Sequence, residues 1–390
     1  EDLAFEQILD LSVEATARAE ADPAFAQQGY ELLAKMEAGD PETKARFRKV
    51  VDLCLAGQLG VLSRLDVSYD VFDYESKYVK DARLEVVLSA LRDAGALFTD
   101  EDQRLVVDLS KLGHPYEEGR YFVLMRANGS SMYGYRDLAY TIDKQERGAD
   151  IDLMVLGEDH KLYAQQQERI LNAAGYAVPE VIYYAYVLLA EGKMSTRQGK
   201  GVLLSDFLDE AARRSSECVA RQCAEIPIEE QAEIARKVAV AAIRFAILRV
   251  NPNKNVIFDW ENSLSFSGDT GPYIQYSCAR INSILRKHGQ AVEGVPEDAA
   301  LDTDAEWALV MKLALFPEIV RNAAAQRNCA PIGQFALDTA RLFTAFYHAC
   351  PVLAAGTPAL RDARLQLCTA TRTALENALG LLGIEALERM

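Results

Sequence analysis

Apolar residues recur at helical spacing over most of the chain and at strand spacing over only a short middle stretch. Near the N-terminus Phe5, Ile8 and Leu9 follow the i, i+3, i+4 rule, and Leu32, Leu33 and Met36 form a second such cluster. Gly39-Asp40-Pro41 interrupts the pattern before another helix through Phe47, Val50, Val51, Leu53 and Leu55. From about residue 120 the character changes. Tyr121-Phe122-Val123-Leu124-Met125 predicts a strand, and Asn128-Gly129-Ser130-Ser131 predicts the turn after it. Ile151-Asp152-Leu153-Met154-Val155-Leu156 predicts a second strand, ended by Gly157. A helix over 159–174 stops at Gly175, a residue suited to the position after a helix end. Residues 181–189 are apolar and β-branched or aromatic enough for a third strand. Strand, helix and strand in this succession form a βαβ unit and predict a parallel sheet.

Beyond residue 228 no strand series is predicted. Residues 234–250, 307–320, 335–347 and 360–382 form apolar-periodic segments, the pattern of a helical bundle. Linkers are short apart from the polar, proline-containing stretch 289–304.

Composition limits what such a chain does. With 390 residues there is material for two or three domains at roughly 150 residues each. A 50% apolar and 26% charged chain is ordinary for a folded protein. A net charge of −16 argues against a general DNA-coating role, which needs lysine and arginine to neutralise phosphates. The charge is uneven: −13 over residues 1–221, −3 over 222–390 and +1 over 305–390. The helical end is thus the part electrostatically suited to face a polyanion. No run is long enough to span a membrane, and the first thirty residues hold seven acids and no basic leader pattern. Seven scattered cysteines without a CxxC pair, and four histidines without ligand spacing, predict a reduced cytoplasmic protein without a structural metal.

Three stretches could carry chemistry. Gly192-Lys193-Met194-Ser195-Thr196-Arg197-Gln198-Gly199-Lys200 is a glycine-bracketed loop of three cations and two hydroxyls, suited to triphosphate oxygens as pyrophosphate departs. The plain alternative is a solvated basic hairpin. In Ser131-Met132-Tyr133-Gly134-Tyr135-Arg136-Asp137-Leu138-Ala139, Tyr133 and Asp137 are four apart and share a face if helical. A carboxylate beside an aromatic ring describes a guanidinium site, although Asp137 taken alone reads first as a helix cap or surface ion-pair partner. Gly157-Glu158-Asp159-His160 lies where the second strand ends, the position at which open α/β sheets bind ligands. Asp159 could instead simply cap its helix. Further on, Gly268-Asp269-Thr270-Gly271-Pro272-Tyr273-Ile274-Gln275-Tyr276 reads as a turn leading into a helix, Pro272 being tolerated in its first turn. Tyr273, Gln275, Tyr276 and Arg280 could meet RNA, or the tyrosines could be core.

These stretches, in this order, resemble the arginyl-tRNA synthetases. The Lys-Met-Ser-Thr-Arg loop is similar to the KMSKS signature of class I aminoacyl-tRNA synthetases, in the form of the arginyl enzymes. The Tyr133 stretch resembles their Tyr-x-x-Arg-Asp-[Ile/Leu]-Ala motif. Many members place Gln and His where this chain has His160 and Tyr163. The helical end resembles the anticodon-binding domain named for Asp-Ala-Leu-Arg, through Phe343, Phe346, Tyr347, Cys350-Pro351-Val352-Leu353 and the closing Leu381-Leu382-Gly383-Ile384-Glu385-Ala386-Leu387-Glu388-Arg389-Met390; Asn is common there in place of Thr344.

The resemblance implies an incomplete Rossmann-like α/β class I catalytic domain over 1–228, including connective helices and the Lys-Met-Ser-Thr-Arg loop. An all-α anticodon-binding bundle follows over 229–390, with its core over about 272–390. It implies an arginine–tRNA ligase acting on arginine, ATP and tRNA(Arg), with Mg²⁺ accompanying ATP, as a cytoplasmic monomer with no DNA or membrane partner. It assigns Lys193 and Arg197 to catalysis, and Tyr133, Asp137 and His160 to arginine. Gly157, Asp159, Lys193, Met194 and Ser195 are assigned to ATP, and Tyr273, Gln275, Tyr276, Arg280 and Tyr347 to tRNA. Cysteinyl and leucyl enzymes are disfavoured by the absence of zinc-spaced cysteines and of an editing insertion. The signature His-x-Gly-His is nowhere in these residues, and Phe72-Asp73-Tyr74-Glu75-Ser76, similar to a segment well downstream of it, already appears. The expectation is therefore an N-terminally truncated chain that starts on Glu1 and is inactive alone. The competing expectation is a truncated, non-catalytic paralogue that binds RNA or a partner.

Overall fold

The structure, a computed structural model, describes residues 5–115, 117–189, 202–223, 225–290 and 301–390. Its contacts divide the chain into two compact units, Glu1–Tyr183 and Tyr184–Met390.

The first unit begins with three helices, α1 (Phe5–Ala21), α2 (Pro23–Ala38) and α3 (Pro41–Ser63). Their boundaries follow local rules. Asp22 and Asp40 each accept backbone N–H groups from the first turn of the next helix, with proline at the first helical position. Gly39 ends α2 at φ +98°, a left-handed conformation that glycine adopts without a Cβ penalty. Many of the apolar side chains that predicted these helices, among them Leu9, Leu32, Phe47 and Val50, are exposed. A 3₁₀ turn, Glu75–Tyr78, and α4 (Arg83–Asp93) lead into an antiparallel sheet of β1 (Leu97–Thr99), β2 (Leu105–Asp108) and β3 (Tyr121–Met125). Then come α5 (Tyr133–Glu146), β4 (Leu153–Gly157), α6 (Lys161–Ala173) and β5 (Glu180–Tyr184), with β4 and β5 paired. The core joins α4, β2, β3, α5 and α6 through Leu84, Leu91, Val107, Leu124, Leu138 and Ile170.

The second unit holds β6 (Val187–Leu189), α7 (Leu204–Gln222), α8 (Ile228–Leu248), β7 (Val256–Phe258), α9 (Trp260–Ser263), α10 (Gly271–His288), α11 (Asp304–Ala314), α12 (Phe316–Ala325), α13 (Ala330–Ala349) and α14 (Pro358–Leu381). Its helical core includes Phe245, Ile274, Cys278, Phe335, Phe343 and Leu375.

Several expectations are corrected. The predicted strand over 121–125 forms, but its partner is β2, from a hairpin whose strands were not predicted. The hairpin strands are three and four residues long, too short for a periodicity signal. The single strand expected over 181–189 is two. After Tyr184 the chain turns aside, Ala185 N–H donating to Pro252 O (2.8 Å) and Tyr186 N–H to Asn255 Oδ1 (3.0 Å). β6 then pairs in parallel with β7, a strand in the region where none was expected. The 307–320 segment breaks at Leu315 into α11 and α12, with Pro317 in the first turn of the second helix.

Candidate active site

The turn after β3 sets up α5. Gly129 takes φ +79°, Asn128 Oδ1 accepts Ser130 N–H, and Arg126 N–H donates to Ser130 O. Ser131 is thereby presented to Glu37 of α2, which accepts its N–H (2.8 Å) and Oγ–H (2.9 Å). Arg136 completes the joint, donating to Glu37 Oε1 (3.1 Å), Ser131 Oγ (2.6 Å) and Glu75 Oε1 (2.9 Å). Both ends of α5 are anchored. Near its C-terminus Asp143 accepts Tyr78 O–H (2.7 Å), Lys77 (2.9 Å), Arg83 (2.9 Å) and Arg147.

On the helix so fixed, Leu138 and Ile142 face the core while Tyr133 and Asp137 share another face, one turn apart. Asp137 is neither a helix cap nor a surface ion-pair partner, the two plain readings of its sequence position. Its Oδ2 accepts the Tyr163 O–H at 2.7 Å, and among the described residues it has no lysine or arginine at ion-pair distance. Burial pushes its carboxyl above the usual range, opposed by the Tyr163 hydrogen bond and by the more distant Lys144 charge. A partly buried carboxylate with no cation beside it among the described residues is a candidate site for a cationic ligand. Tyr163 is held high by burial and by the Asp137 charge it donates to, so it remains a protonated donor. Its oxygen accepts Gln167 Nε2–H (3.0 Å), and the same nitrogen donates to Gly134 O (2.8 Å). Gly134 allows this approach, because a Cβ there would sit 2.5 Å from Phe122 Cζ and 3.2 Å from Gln167 Nε2. The half-exposed ring of Tyr133 lies 5.0 Å from that of Tyr163. Asp137, Thr141, Met154, Tyr163, Gln167 and Leu171 line a small cleft.

Gly157 ends β4, and His160 stands at the start of α6, exposed, with its ring 6.2 Å from Tyr163. Asp159 is exposed in the short 3₁₀ turn ahead of α6 and caps nothing, since α6 starts without a side-chain cap. Tyr133, Asp137 and His160 therefore do converge, around a residue that was assigned no role. Tyr163 and Gln167 repeat the i, i+4 spacing of Tyr133 and Asp137, and that repetition is the signal that would have found them. Lys193, Met194, Ser195 and Arg197 lie outside the described residues.

In the helical unit, Arg280 donates to Tyr276 Oη (2.8 Å), and its guanidinium lies over the rings of Tyr276 (4.6 Å) and Tyr347 (5.1 Å). Tyr347 is 40% exposed. Tyr273 is partly buried and its hydroxyl meets Thr344 Oγ1 at 3.0 Å. Gln275 is corrected from a surface reader to an interior residue: fully buried, it donates to Lys237 O and Glu385 O.

Residues 2–260 match the family model of the class I tRNA synthetase (R) catalytic domain, and 274–390 that of the DALR anticodon binding domain. The fold is thus a Rossmann-like class I aminoacyl-tRNA synthetase catalytic domain followed by a helical anticodon-binding domain. The chain is 39% identical to the arginine–tRNA ligase of Methanocella arvoryzae, over 98% of itself and 67% of that protein. It is 37% identical to that of Methanospirillum hungatei with the same coverage. The arginyl-tRNA synthetase structure from Thermus thermophilus superposes with a TM-score of 0.80 at 30% identity, over 96% of this chain and 69% of that one. The chain belongs to the arginyl-tRNA synthetase family, and spans about two thirds of the length of the curated relatives it matches.

Proposed function

We propose that this chain serves an arginine–tRNA ligase, and that the face of α5 bearing Tyr133 and Asp137 holds the substrate guanidinium. The observation that carries this reading is the Asp137 carboxylate, half-buried and oriented by Tyr163 with no cation beside it among the described residues. In the reaction, the arginine carboxylate attacks the α-phosphate of ATP in line, giving arginyl-adenylate and pyrophosphate. A terminal ribose hydroxyl of tRNA(Arg) then takes the arginyl group and AMP departs. The protein contributes position and charge neutralisation. Lys193 and Arg197 act on the departing pyrophosphate. Gly157, Asp159, Met194 and Ser195 are assigned to the ATP side, and His160 to the arginine side.

Mg²⁺ comes with ATP and is held chiefly by phosphates and water. The ring and guanidinium cluster of Tyr276, Arg280 and Tyr347, with Tyr273 behind it, is the proposed tRNA surface, where aromatic faces stack on bases and Arg280 meets phosphate. The functional division is 1–228 for catalysis and 229–390 for tRNA, in a cytoplasmic monomer. Among the described residues no helix is long and apolar enough to cross a membrane.

The test is arginine-dependent ATP–pyrophosphate exchange with tRNA present. The chain is assayed alone and joined to the stretch of the Methanocella arvoryzae ligase that it does not cover. Alone, without a His-x-Gly-His, it gives no exchange. Joined, it exchanges, and Asp137→Asn raises the arginine KM at least about a hundredfold, since a desolvated charged pair broken on one side costs about 3–5 kcal/mol. An unchanged arginine KM in that variant refutes the assignment.

A further inference from the structure

Asp137 has two carboxylate oxygens, and the structure treats them differently. Oδ2 accepts the Tyr163 phenol at 2.7 Å, while Oδ1 has no hydrogen-bond partner among the described residues. Tyr163 is itself oriented. Gln167, one turn along α6, donates 3.0 Å to the phenol oxygen and 2.8 Å to the backbone carbonyl of Gly134, inside the first turn of α5. The result is a hydrogen-bonded path from the backbone of α5, through two side chains of α6, back to a carboxylate on α5. A path that starts and ends on the same helix fixes a side-chain torsion more tightly than a single contact, because neither end drifts without the other. The Tyr163 ring has a separate role. It lies 5.0 Å from the Tyr133 ring and 6.1 Å from that of Phe122, so it also fills space.

We infer that Tyr163 is the positioning residue of the arginine site: its phenol, held by Gln167, locks Asp137 by one oxygen and leaves the other aimed at the incoming guanidinium beside Tyr133. This rests on the reading of Asp137 as the arginine-binding carboxylate. A flat, forked cation needs a carboxylate held in one rotation, whereas a free carboxylate spreads its charge over many. The phenol also stabilises the ionised form, which burial disfavours. Tyr163 is a donor to substrate-binding machinery, and chemistry at the α-phosphate does not pass through it.

The proposal separates orientation from packing. Tyr163→Phe keeps the ring and removes the hydroxyl. The groups facing Asp137 are Lys144 and Tyr133 on its own helix, Tyr163 and Gln167 from α6, Glu75 from the 3₁₀ turn and Asp152 ahead of β4. Only the Tyr163 contribution changes in the variant. Without it the Asp137 carboxyl titrates at higher pH, and arginine affinity, which needs the carboxylate, begins to fall at a higher pH than in the parent.

Two measurements decide. On the 390-residue chain, the Asp137 carboxyl signal in a carbon NMR titration, assigned by its loss in Asp137→Asn, moves to higher pH in Tyr163→Phe. In the exchange assay of the joined chain, Tyr163→Phe raises the arginine KM about tenfold with kcat within about twofold, the size expected for one hydrogen bond to a charged acceptor. The acid limb of the KM profile moves upward in pH with it. If Tyr163→Phe matches the parent in both readouts while Tyr163→Ala weakens arginine binding, the residue only packs and the proposal is overturned. If Asp137→Asn leaves the arginine KM unchanged, the arginine-site reading fails instead, and the NMR titration still decides whether Tyr163 holds the carboxylate.

Discussion

Two carboxylates, Asp137 and Glu306, are treated in opposite ways by their neighbours. Glu306 is fully buried and fully answered. It accepts Arg364 Nε–H at 2.7 Å, Thr303 N–H and Oγ–H at 2.9 Å each, and Asp302 N–H at 3.0 Å. Burial alone would push its carboxyl up, yet the Thr303 N–H and the Arg364 guanidinium outweigh that and hold it below the usual range. Among the described residues Asp137 has one neutral donor and no cation at ion-pair distance, so burial outweighs the Tyr163 hydrogen bond and the distant Lys144 charge and its carboxyl lies high. Glu306 is satisfied within the fold, whereas Asp137 keeps one oxygen without a partner among the described residues. Replacing Arg364 by Met strands a buried anion and should destabilise the helical unit by about 3 kcal/mol or more, read as a lower urea midpoint. An unshifted midpoint would mean the Thr303 capping box alone satisfies Glu306.

At the scale of elements, close approach decides what periodicity cannot. The Thr270-Gly271-Pro272 start of α10 is a local signal: Thr270 Oγ1 accepts Tyr273 N–H at 3.0 Å and Pro272 sits in the first turn. The need for glycine is not local. A Cβ on Gly271 would stand 2.5 Å from Ala241 O and 3.0 Å from Phe245 Cβ of α8, so the two helices meet only because it is absent. Ala at 271 cannot be relieved by rotating a flexible side chain, because the obstacle is backbone. Gly271→Ala is expected to cost about 1–3 kcal/mol by overpacking, measured as a fall in the thermal midpoint of the helical-unit transition. At Gly134 the neighbours are side chains instead: a Cβ would crowd the Phe122 ring of β3 first and then the Gln167 amide of α6 that donates to the Gly134 carbonyl. The helices themselves were readable from sequence. Apolar spacing and end signals anticipated α10, α13 and α14, because those signals act within a few residues. The β1–β2 hairpin and the division between β5 and β6 were not, because short strands are defined by partners distant in the chain.

For the whole molecule, carboxyls held low by their partners occur in both units, and the two most strongly depressed lie in the first. Asp143, through Tyr78, Arg147 and Lys77, and Asp108, through Arg120 and Ser110, have carboxyls held well below the usual range. A native-state value below the unfolded one contributes stability fully present above the ordinary carboxylate range and lost as pH falls through it. Asp137, with its raised value, has the opposite sign: its cost is present near neutrality and is relieved on acidification. Two strongly paired groups outweigh one, so the first unit should lose stability from about pH 5 downward. In urea melts followed at pH 7 and pH 4, Asp143→Asn is expected to be less stable at pH 7 and to show a smaller acid loss than the parent. Equal acid losses in the two proteins would contradict the assignment.

The amino-acid sequence by itself determined the long helices α8, α10, α13 and α14 of the helical end, the shared face of Tyr133 and Asp137, and the family, because each depends on spacing within a few residues or on the order of short motifs. Only the tertiary structure decided that Asp137 is oriented by Tyr163 from another helix, that Glu37 anchors the turn before α5 from some ninety residues away, and that Gln275 faces inward. The reason is physical: periodicity assigns a side chain to a face, but which donor, carbonyl or ring waits opposite that face depends on how distant segments pack.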